Sequence, residues 1–433
     1  MKRFLLLLIV TVALASMVLT GCGSKETKLT VLMISGHDVG LESLLEEFEE
    51  DTGIDVEIVT VSMPDLYTKL DTEFAAGGNS YDVAEMMWAA AQGYARAGYL
   101  YELDDFMQEA DVDVSQYTSV YVDNHMIQYP QTENGAYICL PHQADLQILA
   151  YREDLFDDAS EQAAFLTEYG YTLKVPETYD EFLDVAKFFT RPDDDLYGAV
   201  VMGKNFPSLV GDITPYIRAF GGDWIDDTYH PVINSAESKE AIQYYYDLFA
   251  EHEVTPEGCA TYSWEEEIAD YQHGKIAMMI IWPGQVVSLE DKEVSDVAGN
   301  IGYAVVPGKA PTVGGWALTI PKKSKNPEAS FEFMEWLAST EVALQRAQDT
   351  GFSTATQALF DDPVMNQKFN YLHAFENSLP YGEGWPQIGE FTSIWQIGAE
   401  EISRVFSGEI SVEEAADNMQ NRFDELMQSG DYY

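Results

Sequence analysis

The chain has 433 residues, with 23 Lys and Arg against 74 Asp and Glu, and a formal net charge of −51. A field of that sign repels nucleic acid and anionic lipid headgroups, and it disfavours an anionic ligand. With 46% hydrophobic and 13% aromatic residues the chain can still build large cores, so the acidity reads as a solvated surface rather than disorder.

Residues 1–21 read as a secretory signal. Lys2 and Arg3 form a positive n-region, and Phe4 opens an apolar h-region running to about Leu19. The segment ends in Leu19-Thr20-Gly21-Cys22, which resembles a bacterial lipoprotein box. That resemblance implies cleavage before Cys22, lipidation of Cys22 and a tether through a polar linker over residues 22–28. The remaining 412 residues, carrying −53, are enough for two domains. No later apolar run reaches the length of a membrane span. Cys139 and Cys259 are left; they could form one disulfide or serve as small buried residues, and no CxxC spacing occurs.

Leu29–Ile34 is a nearly continuous apolar run, as expected for a strand buried on both faces. Leu41, Leu44, Leu45 and Phe48 fall on one helix face, and Gly53 stops that helix. Ile54, Val56 and Ile58 alternate with acids in a second strand, completing a β-α-β unit with parallel strands. A helix after Pro64 buries Leu66, Leu70 and Phe74, and residues 81–87 read as a third strand. Further strands are expected at 135–141, 197–203, 275–282 and 301–307, and a short one follows Gly314-Gly315. Helices are expected at 178–190, 238–252, 326–339 and 411–427. This pattern predicts an α/β fold of two lobes with a cleft between them.

Catalytic motifs are absent. There is no GxSxG, P-loop, HExxH or EF-hand loop, the 7 histidines do not fall at metal-ligand spacing, and Gly221-Gly222 lacks the third glycine of a dinucleotide fingerprint. Asp193-Asp194-Asp195 reads as a solvated turn, and no pair among 74 acids stands out as a glycosidase acid and nucleophile. No metal and no cofactor are expected. Aromatics are the better lead. Trp224, Trp282, Trp316 and Trp385 stand beside Gly or Pro rather than in periodic stripes, whereas Trp336 lies in a helix with Phe333 at i−3 and reads as core. A Trp in such a setting either fills a core or offers a flat face to a cleft.

In order and spacing, "FEEDTGIDVEIV", "YDVAEMMWAAAQGYARAGYL", "LPHQADLQILAYREDLF", "AFGGDWIDD", "GKIAMMIIWPG" and "GGWALTIPKKSKNPEASFEFMEWL" resemble the solute-binding lipoproteins of bacterial ABC sugar importers. The resemblance runs from about Leu29 to Phe423. It implies a type II periplasmic-binding-protein fold of two discontinuous lobes, 29–142 with 317–358 and 143–316 with 359–433, joined by a multi-strand hinge. It implies a neutral mono- or oligosaccharide as ligand and membrane permease subunits as partners, with a monomeric receptor outside the cytoplasmic membrane. Asp145 would accept from ligand hydroxyls, Asp212 would sit in a loop that lines the cleft, and Trp282, Trp316 and Trp395 would be aromatic platforms. Ser35, His37 and Asp38 would be polar contacts, with Trp88 and Trp224 as further aromatics and Gly315 allowing close backbone approach. In place of a polar pair found in maltodextrin binders this chain has Ala89 and Ala90, and "SLPYGEGWP" lacks an arginine that some members carry. A surface-anchored glycoside hydrolase and a sugar-sensing receptor are the alternative functions.

Overall fold

A computed structural model describes residues 27–129 and 135–433. Cys22 and the signal segment lie outside the described residues. The opening unit forms as expected: strand β1 (Thr27–Ile34), helix Glu42–Thr52, then strand β2 (Ile54–Val61), parallel to β1 with Thr27 opposite Ile54. Gly53 ends the helix in the left-handed conformation, which a residue with a Cβ disfavours. Helix Met63–Ala75 follows; Ser62 caps it by accepting from the Asp65 N–H, and Leu66 and Leu70 are buried.

Strands β3 (Val83–Met87), β4 (Gln128–Tyr129), β5 (Ala136–Tyr137), β6 (Leu140–Leu146), β7 (Ile148–Arg152), β8 (Met278–Ile281), β9 (Ile301–Ala304) and β10 (Val313–Thr319) complete the set among the described residues. Five of them form a mixed sheet in the order β2-β1-β3-β10-β6, three form a second sheet β8-β7-β9, and β4 pairs with β5. The chain passes from the first sheet to the second at Gln147, between β6 and β7. The buried Gln147 side chain donates to the Gly211 carbonyl at 2.9 Å and accepts the Thr312 N–H at 3.2 Å, so the crossover is pinned from both sides. Helices cover both sheets, giving the predicted two-lobed α/β architecture. No helix among the described residues is long and apolar enough to cross a membrane.

The strand expected at 197–203 does not form. Tyr197 makes one bridge to Ile276, and beyond it the backbone is satisfied piecemeal: Ala199 N–H by the Val254 carbonyl and Met202 N–H by the Tyr245 hydroxyl. Ala199, Val200, Val201 and Met202 are nevertheless buried, so an apolar run forecast the burial correctly and the ladder wrongly. Cys139 and Cys259 are buried and unpaired, which settles the open disulfide question for small core residues.

Candidate ligand-binding cleft

A cavity of about 800 Å³ opens between the two sheets. Its walls come from the carboxyl ends of β1, β2 and β3, from β6 and β10 at the crossover, and from the first turns of helices Ser208–Ala219, Trp264–Gln272 and Pro283–Leu289. Ligand sites in open α/β sheets favour such a crevice beyond the strand carboxyl ends. Of the residues expected at a site, Ser35, His37, Asp145, Asp212, Trp282, Gly315, Trp316 and Trp395 all line it.

The paired glycines have a different job from the expected one. A Cβ on Gly314 would stand 2.5 Å from Trp282 Cζ3, so the missing side chain is the seat of the Trp282 ring. Gly315 has φ +106°, and a Cβ there would collide with the Gln143 carbonyl oxygen and His125 Cε1. Both glycines are therefore spent on protein packing, and the aromatic faces bring the apolar surface to the cavity. Trp316, partly exposed, stands edge-on to His37 at 5.7 Å between ring centroids. Trp395 packs on Phe391 and Trp385, and its Nε1 has no hydrogen-bond partner among the described residues.

Asp145 ties strand β6 to the helix after β8. Its Oδ1 accepts the Gly284 N–H at 2.9 Å, at the start of helix Pro283–Leu289, and its Oδ2 accepts from Gln143 Nε2 at 2.8 Å. Burial pushes its carboxyl up to about 6 despite those two donors. Each oxygen keeps a further lone pair for a ligand hydroxyl. Asp212 accepts from the Tyr245 hydroxyl, and burial pushes it up to about 6 as well.

Three expectations fail. Trp88 is 0% exposed and stacks on His125 at 5.8 Å, and Trp224 is 1% exposed with its Nε1 donating to Thr214 Oγ1 at 2.9 Å. Both are core residues and neither lines the cleft. Asp38 is exposed and outside the cavity wall, where it accepts the Gly36 N–H at 3.1 Å and stabilises its own turn.

Behind His37 lies a network with no signal in sequence spacing. His37 Nδ1 and His142 Nδ1 both lie 2.7 Å from Glu85 Oε1, and the Ile34 N–H donates to Glu85 Oε2 at 2.9 Å. Burial pushes Glu85 up, but the two imidazoles outweigh it and hold the carboxyl below the usual carboxylate range. Arg346, 1% exposed, donates from Nη1 to His142 Nε2 at 2.8 Å, from Nε to the Val39 carbonyl at 2.9 Å, and from Nη2 to the His37 carbonyl. A guanidinium always donates, so His142 Nε2 must accept and its proton sits on Nδ1, facing Glu85. That polarity leaves His142 no Nδ1 lone pair for a metal, although His37, Glu85 and His142 are of metal-ligating type and close together. The network instead clamps Ile34, His37 and Val39 into the cavity wall. Burial lowers His142 to about 4, consistent with a neutral ring.

Sequence reasoning also missed Trp264, Phe206, Phe352, Gln143, Lys204 and Glu267 in the wall. Trp264 was recoverable: it follows the capping serine of a Ser263-x-x-Glu266 box, outside any apolar stripe. Lys204 is the one Lys or Arg among the described residues lining the cavity.

Two sheets joined by crossing strands, with aromatic rings and carboxylates between them, define a two-lobed α/β protein built to hold a small solute. Residues 35–344 match the family described as "Bacterial extracellular solute-binding protein", and the chain belongs to that family. It is similar to a solute-binding protein of Agrobacterium radiobacter K84 solved in complex with ribitol, at 28% identity and a TM-score of 0.81 over 92% of this chain and 98% of that one. It is 23% identical over 442 residues to the "Maltooligosaccharide ABC transporter solute-binding lipoprotein" of Streptococcus pneumoniae R6, covering 94% of this chain and 93% of the relative. A 30% match over 241 residues to the "Probable ABC transporter-binding protein" of Deinococcus radiodurans covers 53% of this chain and 54% of that protein, about half its length.

Proposed function

We propose that the cleft binds a neutral sugar or polyol and that the protein delivers it to an ABC permease. The observation that carries this reading is the meeting of Trp282, Trp316 and Trp395 with Asp145 and Asp212 around one cavity. A sugar has an apolar C–H face and hydroxyls around its rim; flat rings cover the first and carboxylates accept from the second. Covering several tens of Å² contributes ~1–2 kcal/mol per ring at ~25 cal/mol/Å². Micromolar affinity needs ~8 kcal/mol, so several rings, rim hydrogen bonds and lobe closure act together. The ribitol complex and the maltooligosaccharide-binding relative support the ligand class. One Lys in the wall, in a strongly acidic chain, supports an uncharged ligand.

In this reading the lobes comprise 29–142 with 317–358 and 143–316 with 359–433, and they close on the ligand. The receptor is a monomer, performs no catalysis, and is held at the outer face of the cytoplasmic membrane by a lipid on Cys22. A thermal-shift screen of the mature chain against sugars and polyols, with product analysis of each hit, tests this. Binding raises the melting temperature with ligand concentration. Stabilisation without turnover is the expected result; released product would make the protein a glycoside hydrolase, and no shift with any sugar or polyol would refute the reading.

A further inference from the structure

His37 is the one histidine lining the cavity among the described residues, and its side chain is 18% exposed. Nδ1 is taken up by Glu85 Oε1 at 2.7 Å, whereas Nε2 has no hydrogen-bond partner among the described residues. Trp316 and Phe352, both in the cavity wall, stand edge-on to the ring at 5.7 Å and fix its flanks. What Nε2 offers a ligand depends on where the ring protons sit, and the buried groups behind it decide that.

Arg346 is 1% exposed, outside the cavity wall, and within ion-pair distance of no carboxylate among the described residues. A buried cation without an anion is costly. The carboxylates acting on it are Glu85, which is 0% exposed, and the exposed Asp38. Glu85 is reached through His142, whose ring stands 2.7 Å from Glu85 and 2.8 Å from Arg346. One buried anion thus answers one buried cation across a neutral imidazole. A proton added to either histidine would leave the cluster with a net positive charge. An ionised Glu85 only accepts, so Oε1 takes the Nδ1–H of both histidines and Oε2 takes the Ile34 N–H. In a neutral imidazole the other nitrogen is then a lone pair.

We propose that Arg346, by balancing Glu85, keeps His37 a neutral ring protonated on Nδ1, so that Nε2 presents a fixed acceptor to a ligand hydroxyl. This rests on the reading of the cleft as a sugar or polyol site. It adds a polarity rule: the ligand must bring an O–H to His37, and an ether or carbonyl oxygen there is turned away. Arg346 acts only through His142 and Glu85 and is a positioning residue. The charged and titratable groups facing His37 are Glu85 from β3, His142 and Asp145 from β6, Arg346 from helix Thr340–Thr350, and Asp38 from its own turn. Arg346 is the one permanent cation among them. Without it the Glu85 charge falls on the imidazoles, and His37, the one open to the cavity, takes the proton; Nε2 then donates instead of accepting.

The test uses the full mature chain labelled with ¹⁵N in the histidine rings, with His37 assigned by its loss in His37→Gln. At pH 8 wild-type His37 is expected to carry a proton on Nδ1 and none on Nε2. Saturating ribitol or maltotriose is expected to shift the Nε2 signal and leave Nδ1 protonated. A proton on Nε2 at pH 8, or an Nε2 signal unmoved by a bound probe, overturns the proposal. Arg346→Met, and Arg346→Gln as a second variant that still donates to His142, are expected to hold the second His37 proton to about one pH unit higher than wild type, the scale of one charge removed nearby. Arg346→Lys keeps the charge and is expected to match wild type. A purely structural role would not separate the charged from the neutral variants, so equal His37 titration in all of them overturns the proposal. His37→Ala is expected to lose about tenfold in affinity for the probe that binds, the scale of one hydrogen bond; a loss within twofold overturns the ligand contact. Failure to bind any sugar or polyol of the thermal-shift screen refutes the reading of the cleft, and the ligand-free spectra then decide the ring state alone.

Discussion

Substituting Gly314 by alanine tests whether the glycine pair exists to seat an aromatic ring. The new Cβ would stand 2.5 Å from Trp282 Cζ3 and 3.0 Å from Cε3, against an ordinary carbon contact of about 3.5–4.0 Å. The ring must therefore retreat by about 1 Å. A displacement of that size forfeits roughly a quarter to a half of a contact's dispersion energy. From a platform contributing ~1–2 kcal/mol, the expected loss is about 0.25–1 kcal/mol, or roughly 1.5- to fivefold in affinity. Trp282→Ala alone should cost the whole platform, about 5- to 30-fold. In the double variant the collision partner is gone, so Gly314→Ala should cost less than about twofold more; contacting residues are expected to be non-additive in this way. Gly314 does not have positive φ, so the alanine backbone is unstrained and the melting free energy should stay within about 1 kcal/mol of wild type. Calorimetric titration with ribitol or maltotriose, on four proteins, reads the cycle. Equal losses in both backgrounds, or no loss from Gly314→Ala, would refute the reasoning.

Four further outcomes are expected. Trp88→Ala and Trp224→Ala should each destabilise the ligand-free protein by ~3–5 kcal/mol in chemical denaturation; Trp316→Ala should leave stability nearly unchanged and weaken binding by about 1–3 kcal/mol. Arg346→Met keeps much of the packing but removes the donors to His142 Nε2 and to the His37 and Val39 carbonyls, so unfolding should become easier by ~3–5 kcal/mol; a loss within 1 kcal/mol would show that the clamp is dispensable. Burial pushes the Asp145 carboxyl up to about 6, above its ordinary value of 3.8, so its protonation favours the fold. That contribution, about 3 kcal/mol for a two-unit shift, is complete below about pH 4 and lost as pH rises to about 6; Asp145→Asn should remove this component from melts run across that range. Cys22→Ala should release the protein from membranes on fractionation while its affinity for ribitol or maltotriose is retained.

Local patterns were legible wherever one residue's neighbours in sequence are also its neighbours in space. The β1–helix–β2 unit follows from the apolar run Leu29–Ile34, the Leu41–Phe48 stripe and Gly53, all within one stretch of chain. Trp282, Trp316 and Trp395 were reachable as cavity-wall residues because the resemblance carried them position by position. Trp88 and Trp224 were misassigned because a nearby turn does not say which way an indole faces; Trp88 meets His125, and Trp224 meets Thr214, only once the elements are packed. The apolar run at 197–203 conveyed burial but could not convey that its partners are a tyrosine hydroxyl and a distant loop. Glu85, His142 and Arg346 are brought together by sheet order and helix packing, and no spacing rule links them. Glu267 is one acid among 74 in composition, and its burial in the cavity wall sets it apart.

The central claim, that a neutral sugar or polyol is held against the rings of this cleft, is tested most directly by calorimetric titration of the mature wild type and Trp316→Ala. The panel should contain ribitol, maltotriose and a set of other sugars, with amino acids and sugar acids as controls. The account predicts one saturable site for a neutral sugar or polyol, weakened roughly 5- to 150-fold in Trp316→Ala, with affinity nearly independent of salt. Saturable binding of an amino acid or a sugar acid alone, or a sugar affinity left within twofold by Trp316→Ala, would contradict it.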